Sequence, residues 1–187
     1  MSEIIPTCPT GCDFTLADIS FSDCAPAISW GEVEYVVLGD GDSAPFADWE
    51  DDSEWATRVA ETGDNKLRKL TVIADLPIGS ADEVIISKGR KVKAPASRIL
   101  NIEIDDTTDE NYEFMRATAC NSQMRMWFFT RSHQYGGNDG ILAMINLDPV
   151  IEKGTKTINK FVGTAKWDAQ FAPERAKICW TSTTFIP

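Results

Sequence analysis

Two apolar stretches, MRMWFFT at Met124–Thr130 and ILAMINL at Ile141–Leu147, decide the fold of this chain. Both are rich in aromatic or branched apolar residues, which favour strands over loops. The segment between them ends in Gly136-Gly-Asn-Asp-Gly140. Glycine and asparagine accept the positive φ that tight hairpin turns require. The two stretches therefore predict antiparallel strands that are close in sequence and in space.

Similar strand signals extend from this pair in both directions. Further strands are predicted at Val33–Leu38, Lys69–Ala74, Glu83–Ser87, Arg98–Ile104, Tyr112–Ala117, Thr157–Trp167 and Lys177–Phe185. In Arg98–Ile104 apolar and polar residues alternate, as in a half-buried strand. Turn residues separate the candidates at short intervals, which indicates consecutive antiparallel strands in a meander. The predicted fold is mostly β, an antiparallel β-sandwich or barrel.

One short flanking helix is predicted over Ala44–Val59. Ser43 can cap it, Pro45 suits its first turn, and acidic side chains crowd its N-terminal half. A break near Ser53 is compatible with the pattern.

The length of 187 residues indicates a single domain over residues 1–187. Residues 1–30 are rich in Pro, Ser, Asp and Cys without a sustained period, so an extended N-terminal arm is expected there. Residues 31–187 form the predicted core. The chain starts without a basic region followed by an apolar one, and no apolar run is long enough to span a bilayer. We therefore expect synthesis in the cytoplasm and no membrane partner.

The cysteines do not form a disulfide framework or a complete metal motif. Their count is odd, which argues against paired bridges in an intracellular protein. Cys8 and Cys12 have the spacing of half a zinc site, with Cys24 beyond, but a second pair is missing and His133 is the only histidine. We predict no metal and no cofactor, and keep Cys8, Cys12 and Cys24 as the alternative site.

Enzymatic motifs are also missing from the sequence. No Gly-x-Ser-x-Gly motif supplies a nucleophile for His133, and there is no phosphate-binding or dinucleotide-binding glycine loop. The acidic stretch Asp40–Asp52 lacks the ligand order of a calcium loop. Nothing in the sequence sets two carboxylates opposite each other for glycoside hydrolysis. The sequence predicts that the protein is not an enzyme.

Charge is distributed unevenly within a net charge of −11. Residues 1–64 hold 15 acidic residues and one basic residue, whereas residues 65–187 hold 14 acidic and 17 basic residues. An acidic surface keeps a protein dispersed and repels DNA, and both interpretations remain open. A basic loop over Ser87–Arg98 carries Lys88, Arg90, Lys91, Lys93 and Arg98. It is either a solvated loop or one half of a head-to-tail contact between copies, which would give rings or stacks.

Residues 98–175 resemble the tube-forming virion proteins of tailed bacteriophages. The pattern consists of RILNIEIDDTTDENYEFMRA, then MRMWFFTRSHQYGGNDG, then ILAMINLDPVIEKGTKTINKFVGTAKWDAQFAPER. A late strand that closes on Gly163-Thr-Ala-Lys-Trp167 before a Phe-x-Pro segment is similar to the end of such subunits. The cysteine-bearing N-terminus is not part of this pattern.

The resemblance implies a viral tail tube protein, a structural homo-oligomer whose rings, commonly hexameric, stack into a conduit for DNA ejection. It implies location in the virion tail and three partners: further copies of the chain, other virion proteins, and DNA that passes without specific binding. The hypothesis assigns contact with a neighbouring subunit to the basic loop. It also places some carboxylates toward the lumen, and the candidates are Asp40, Asp42, Asp48, Glu50, Asp51, Asp52, Asp105 and Asp106.

Two alternative functions remain. One is another virion component, such as a head–tail completion, ring or capsid-decoration protein. The other is a carbohydrate-binding β-sandwich module, in which exposed aromatic rings would stack on sugar. That module would need two or three exposed, coplanar rings among Trp30, Trp49, Trp55, Trp127, Trp167 and Trp180.

Overall fold

The computed structural model describes residues 31–89, 91–120, 123–151, 153–154 and 158–179. The predicted arm over residues 1–30, with its three cysteines, lies outside them. The described elements are, in chain order, β1 (Val33–Asp40), α1 (Asp52–Ala60), β2 (Arg68–Asp75), β3 (Glu83–Ile85), β4 (Lys91–Lys93), β5 (Ala96–Ile104), α2 (Asp109–Thr118), β6 (Met124–Thr130), β7 (His133–Tyr135), β8 (Ile141–Val150), β9 (Lys160–Ala169) and β10 (Arg175–Lys177). The mostly β prediction is confirmed.

Six strands form a closed antiparallel barrel. Pairing runs in the order β1, β2, β5, β9, β8 and β6, and β6 pairs back to β1 along seven residue pairs. The ring of pairings therefore has no free edge between β1 and β6. β7 and β10 extend the sheet from the second half of β6. The strands are not a simple meander, because β5 pairs with β9 rather than with the next barrel strand, β6.

Strand direction defines two ends of the barrel. β1, β5 and β8 run the same way, because each is separated from the next by one antiparallel neighbour. Helix α2 connects the end of β5 to the start of β6, so we call this the α2 end. β3 and β4 lie between the end of β2 and the start of β5, which places them at the opposite end. We call that one the hairpin end.

The barrel interior is an apolar core built by strand alternation. In β8, Ile141, Ala143, Ile145 and Leu147 point inward, and the residues between them are exposed. β5 contributes inward residues in the same way, and Met115 of α2 joins the core from the α2 end. Burial of one such aliphatic side chain contributes roughly 1.5–3 kcal/mol.

A second apolar cluster covers the outer face of β1 and β6. It contains Val37, Phe46, Trp49, Trp55, Leu67, Trp127 and Phe129. The rings of Trp55 and Trp127 meet edge to face at 5.6 Å. Each indole N–H donates a hydrogen bond to a backbone carbonyl. The Trp55 indole donates to the carbonyl of Trp49 at 2.8 Å, and the Trp127 indole donates to the carbonyl of Gly137 at 2.9 Å. β1 and β6 are therefore buried on both faces, which explains why Met126–Phe129 is an unbroken apolar run whereas ILAMINL has exposed positions.

The predicted helix over Ala44–Val59 starts later than expected. α1 begins at Asp52, and its N-cap is Asp51. The hydroxyl of Ser43 donates to the Asp40 carbonyl in a turn, so it does not cap a helix. The Glu54 carboxylate accepts from the backbone N–H groups of Ala47 and Asp48, which holds the preceding segment as a loop.

The predicted strand at Tyr112–Ala117 is wrong, because these residues belong to α2, the second helix. The Thr108 hydroxyl caps this helix by accepting from the backbone N–H of Asn111. Its buried residues, Met115 and Thr118, are three apart, which is a helical spacing. The acidic residues of its first turn also suit a helix N-terminus.

Other strand predictions differ from the structure in their bounds. β9 starts at Lys160, later than the predicted Thr157. At the C-terminal end, β10 spans Arg175–Lys177, and the description ends at Cys179. The remainder of the predicted strand up to Phe185 lies outside the described residues.

Close contact between β8 and β9 makes Gly163 irreplaceable. A Cβ on Gly163 would overlap the Asn146 carbonyl oxygen, which belongs to backbone that a rotamer change cannot move. We expect Gly163→Ala to lower the free energy of unfolding by about 3 kcal/mol, the upper range for overpacking. Urea denaturation followed by tryptophan fluorescence measures this change. Gly63→Ala is the control, because no atom lies within 4 Å of its Cβ, and equal stabilities would contradict the prediction.

The Glu54 carboxylate is the polar anchor of the loop before α1. Burial alone would raise its pKa, but hydrogen bonds from the backbone N–H groups of Asp48 and Ala47 and from Arg58 lower it. The ionised form therefore favours folding above pH 4.5, and this stabilisation is lost as the pH falls below that value. We expect Glu54→Gln to cost about 1–2 kcal/mol at pH 7 and progressively less in acid. Denaturation of the wild type and of Glu54→Gln at pH 7 and pH 3 measures this difference in unfolding free energy. A difference that does not depend on pH would contradict the stabilising role of the ionised carboxylate.

Candidate functional site: an exposed hairpin and an apolar groove

β3 and β4 form a small sheet of their own at the hairpin end. Val84 pairs with Val92, flanked by the pairs Glu83–Lys93 and Ile85–Lys91. Two backbone hydrogen bonds between Ser80 and Ser97, at 3.0 and 2.8 Å, fasten its base to β5. We call residues 78–94 the hairpin.

The hairpin exposes apolar side chains on both of its faces. Every described residue from 82 to 93 is exposed. The apolar members, between 39% and 100% exposed, are Ile78, Val84, Ile85, Ile86 and Val92. A two-stranded ribbon is marginally stable in water, and contiguous exposed apolar residues mark interaction surfaces. The hairpin is therefore the strongest candidate for a contact surface in the described chain.

The hairpin also carries most of the predicted basic loop. Lys88, Lys91 and Lys93 all lie on it and are exposed. The ammonium of Lys91 pairs with the Glu83 carboxylate at 2.7 Å. Arg98 does not belong to this group, because it is half-buried in β5 with its Nε out of solvent. Arg90 lies outside the described residues. The loop is thus a β-hairpin in which branched apolar residues accompany the cations.

The eight predicted lumen carboxylates occupy separate places. Asp40 and Asp42 form the turn after β1, and Asp105 and Asp106 follow β5, so both pairs are at the α2 end. The segment Asp48–Asp52 instead lies against the outside of β6, where the backbone N–H of Trp49 donates to the Asn138 side chain at 3.0 Å.

Several of these carboxylates order their own loops. Asp51 accepts from the backbone N–H and the hydroxyl of Ser53, and these hydrogen bonds lower the pKa of Asp51. Asp48 accepts from the backbone N–H of Glu50 at 2.9 Å. Asp40 accepts from that of Asp42 at 3.2 Å. These groups therefore hold turns in place, while Asp42, Asp48, Glu50 and Asp51 remain exposed.

The tryptophans do not form a sugar-stacking surface within the described residues. Trp49, Trp55, Trp127 and Trp167 are all buried. They serve the two apolar clusters as core residues. Trp30 and Trp180 lie outside the described residues.

The remaining chemical groups are separate from one another. His133 is half-buried in β7 rather than in a surface turn. The half-buried Cys179 thiol donates to the Gln134 side chain at 3.3 Å, and burial raises its pKa, whereas Cys120 is exposed. No three His, Cys, Asp or Glu side chains converge on a metal-sized site in the described part of the chain. Among the same residues no helix is both long and apolar enough to span a membrane.

A largely exposed sheet face, which we call the uncovered face, lies opposite the aromatic cluster. It consists of the outer sides of β2, β5, β9 and β8 and exposes apolar residues such as Ile73 and Met144, while the C-terminal end of α2 adjoins it at β8 and β9. Polar contacts cross this face, including the pair between Lys160 and Glu103 at 3.0 Å. The alternating pattern of a strand indicates that one of its sides is exposed. It does not show that the exposed sides of four strands adjoin.

An apolar groove lies at the α2 end, between α2 and the ends of β8 and β9. Its volume is about 300 Å³, and its lining is Thr107, Asp109, Tyr112, Pro149, Val150, Ile151, Asn159, Lys160 and Phe161. The rings of Tyr112 and Phe161 are 6.2 Å apart. The sequence pattern does not reveal this groove, because it predicts a strand at Tyr112–Ala117, whereas Tyr112 lies in α2.

Comparison with protein-family models, curated proteins and solved structures found no match for this chain. The hairpin, the groove and the uncovered face are the open surfaces described above. These surfaces are of the kind that contacts macromolecules.

The hairpin is expected to contribute nothing to barrel stability. Ile85 of the hairpin is 70% exposed, whereas Ile102 in the barrel is 2% exposed. We expect Ile85→Ala to change the free energy of unfolding by less than about 0.5 kcal/mol. The same change at Ile102 should cost about 2–5 kcal/mol. Chemical denaturation of both variants measures the contrast, and a large loss at Ile85 would mean that the hairpin packs within its own chain.

Proposed function

We propose that this chain is a structural virion protein, a self-assembling subunit of a bacteriophage tail tube. Its copies form rings that stack into a conduit for DNA. The observation that carries the proposal is the hairpin, with its apolar side chains exposed at one end of a closed barrel. Support from the sequence comes from the resemblance of residues 98–175 to tube-forming virion proteins.

Self-assembly gives the exposed hairpin a physical purpose. Apolar surface gains about 25 cal/mol for each Å² removed from water. Val84, Ile85 and Val92 gain only part of this in an isolated copy, because each stays 46–70% exposed. A second copy that covers these side chains removes them from water, and this burial stabilises the contact. In the proposed tube the partner surface lies elsewhere on the chain, and such heterologous contacts build rings or stacks.

The uncovered face and the acidic charge suit a conduit. Four adjoining strands with polar cross-strand contacts offer a wall that neighbouring copies could continue around a bore. The turn at the end of β1 also exposes the carboxylate of Asp42. Together with a net charge of −11, this carboxylate repels phosphates, so DNA passes without sticking. Other virion proteins are the proposed partners at the two ends of the tube.

Assembly is tested by negative-stain microscopy and light scattering of the purified protein over a concentration series. We expect rings or hollow tubes that become longer as concentration rises. The double variant Val84→Asp and Val92→Asp should remain unassembled with an unchanged melting temperature, because both side chains are exposed and pair only with each other. Phe171→Asp is the control for an exposed apolar residue outside the hairpin. A wild-type protein that stays monomeric at every concentration would overturn the proposal.

DNA behaviour gives an independent test. We expect assembled protein to retain no linear duplex DNA in a filter-binding or sedimentation assay at about 0.15 M salt. The reason is the repulsion between an acidic surface and phosphates, which short-range contacts do not overcome. Tight binding that weakens steeply with added salt would contradict the conduit and point to a nucleic-acid-binding protein.

A further inference from the structure

We propose that the apolar groove at the α2 end receives the hairpin of a second copy of this chain. The inference rests on the proposed self-assembly and adds the site at which the hairpin docks. The hairpin projects from the end of β2 and the groove lies beside the end of β8, so the two surfaces occupy opposite ends of the barrel. A contact between them therefore repeats head to tail, and it leaves one free hairpin and one free groove on every growing stack.

The groove, like the hairpin, combines apolar and polar side chains. Its lining includes Tyr112, Pro149, Val150 and Phe161, and its volume of about 300 Å³ is small for a ligand pocket. Ile151 is 78% exposed at the groove, so apolar surface continues outside it. An open apolar groove of this size suits a few branched side chains, such as those of Val84, Ile85 and Ile86.

The two surfaces also have opposite charges. Between residues 105 and 113, beside the groove, lie five exposed carboxylates and no Lys or Arg: Asp105, Asp106, Asp109, Glu110 and Glu113. The described part of the hairpin presents Lys88, Lys91 and Lys93. Lys160, the cation in the groove lining, is neutralised by Glu103 at 3.0 Å. Complementary charges orient a docking partner and fix its register, which favours the hairpin of a second copy as the occupant.

Zero-length cross-linking locates the contact in assembled wild-type protein. A carbodiimide joins a lysine ammonium to a carboxylate with loss of one water, and mixing ¹⁴N-labelled and ¹⁵N-labelled chains identifies links between copies. We expect mixed-isotope peptides that join Lys88 or Lys93 to the carboxylates of residues 105–113. Links from these lysines to Asp48–Asp52 of another copy would overturn the groove assignment while leaving self-assembly intact.

Charge reversal provides the second test. The variant Lys88→Glu with Lys93→Glu keeps the Lys91–Glu83 pair, and the variant Glu110→Lys with Glu113→Lys keeps the helix cap. Each is expected to raise the concentration needed for assembly about tenfold, and an equimolar mixture of the two should co-assemble better than either alone. Thermal melts confirm folding. Ile151→Asp tests the groove without altering α2 and should also impair assembly.

The outcomes separate this inference from the proposed function. Assembly that depends on the hairpin but is unaffected by Ile151→Asp and by the α2 reversal overturns the groove and keeps the tube. Weakened assembly of each charge-reversed variant, recovered when the two are mixed, supports the contact between the hairpin and the groove. A wild-type protein that never assembles overturns both proposals together.

Discussion

The pairing of β1 with β6 is the constraint on which the rest of the structure depends. It closes the barrel, and its two strands are the ones buried on both faces. Val36, Leu38, Met126 and Phe128 face the interior, while Val37, Trp127 and Phe129 face the aromatic cluster. Without this pair, the barrel would open and the segment around α1 would have no surface to cover.

The two-sided burial also decides where the remaining surfaces lie. The loop before α1 and the helix itself cover one side of the barrel. Glu54 and Arg58 anchor this segment. The Arg58 guanidinium donates hydrogen bonds to the backbone carbonyls of Ala44 and Pro45. On the opposite side, formed by β2, β5, β9 and β8, apolar residues such as Ile73 and Met144 stay exposed. Acidic residues in the covering segment are therefore partly structural, whereas those near α2 are exposed around an apolar groove.

The apolar residues that stabilise the fold and the apolar residues that stay exposed lie in different parts of the chain. The apolar side chains of the barrel and of the aromatic cluster are buried, while those of the hairpin remain in water. A surface that the fold does not require can be adapted to a binding partner. This separation allows the hairpin to change without changing the barrel, and the hairpin and the groove lie at opposite ends of the barrel.

The sequence by itself determined the mostly β class, because alternation in Arg98–Ile104 and Ile141–Leu147 is a local property with period two. It also located the cations of the hairpin and the uneven charge. It did not separate strand from helix at Tyr112–Ala117, where a short apolar run fits either element, nor did it show that Ser43 closes a turn. Only the tertiary structure decided that β1 closes on β6, that Ile85 is exposed while Ile102 is buried, and that α2 forms a groove with β8 and β9. The physical reason is that burial and strand pairing join residues far apart in the chain, which no local pattern specifies.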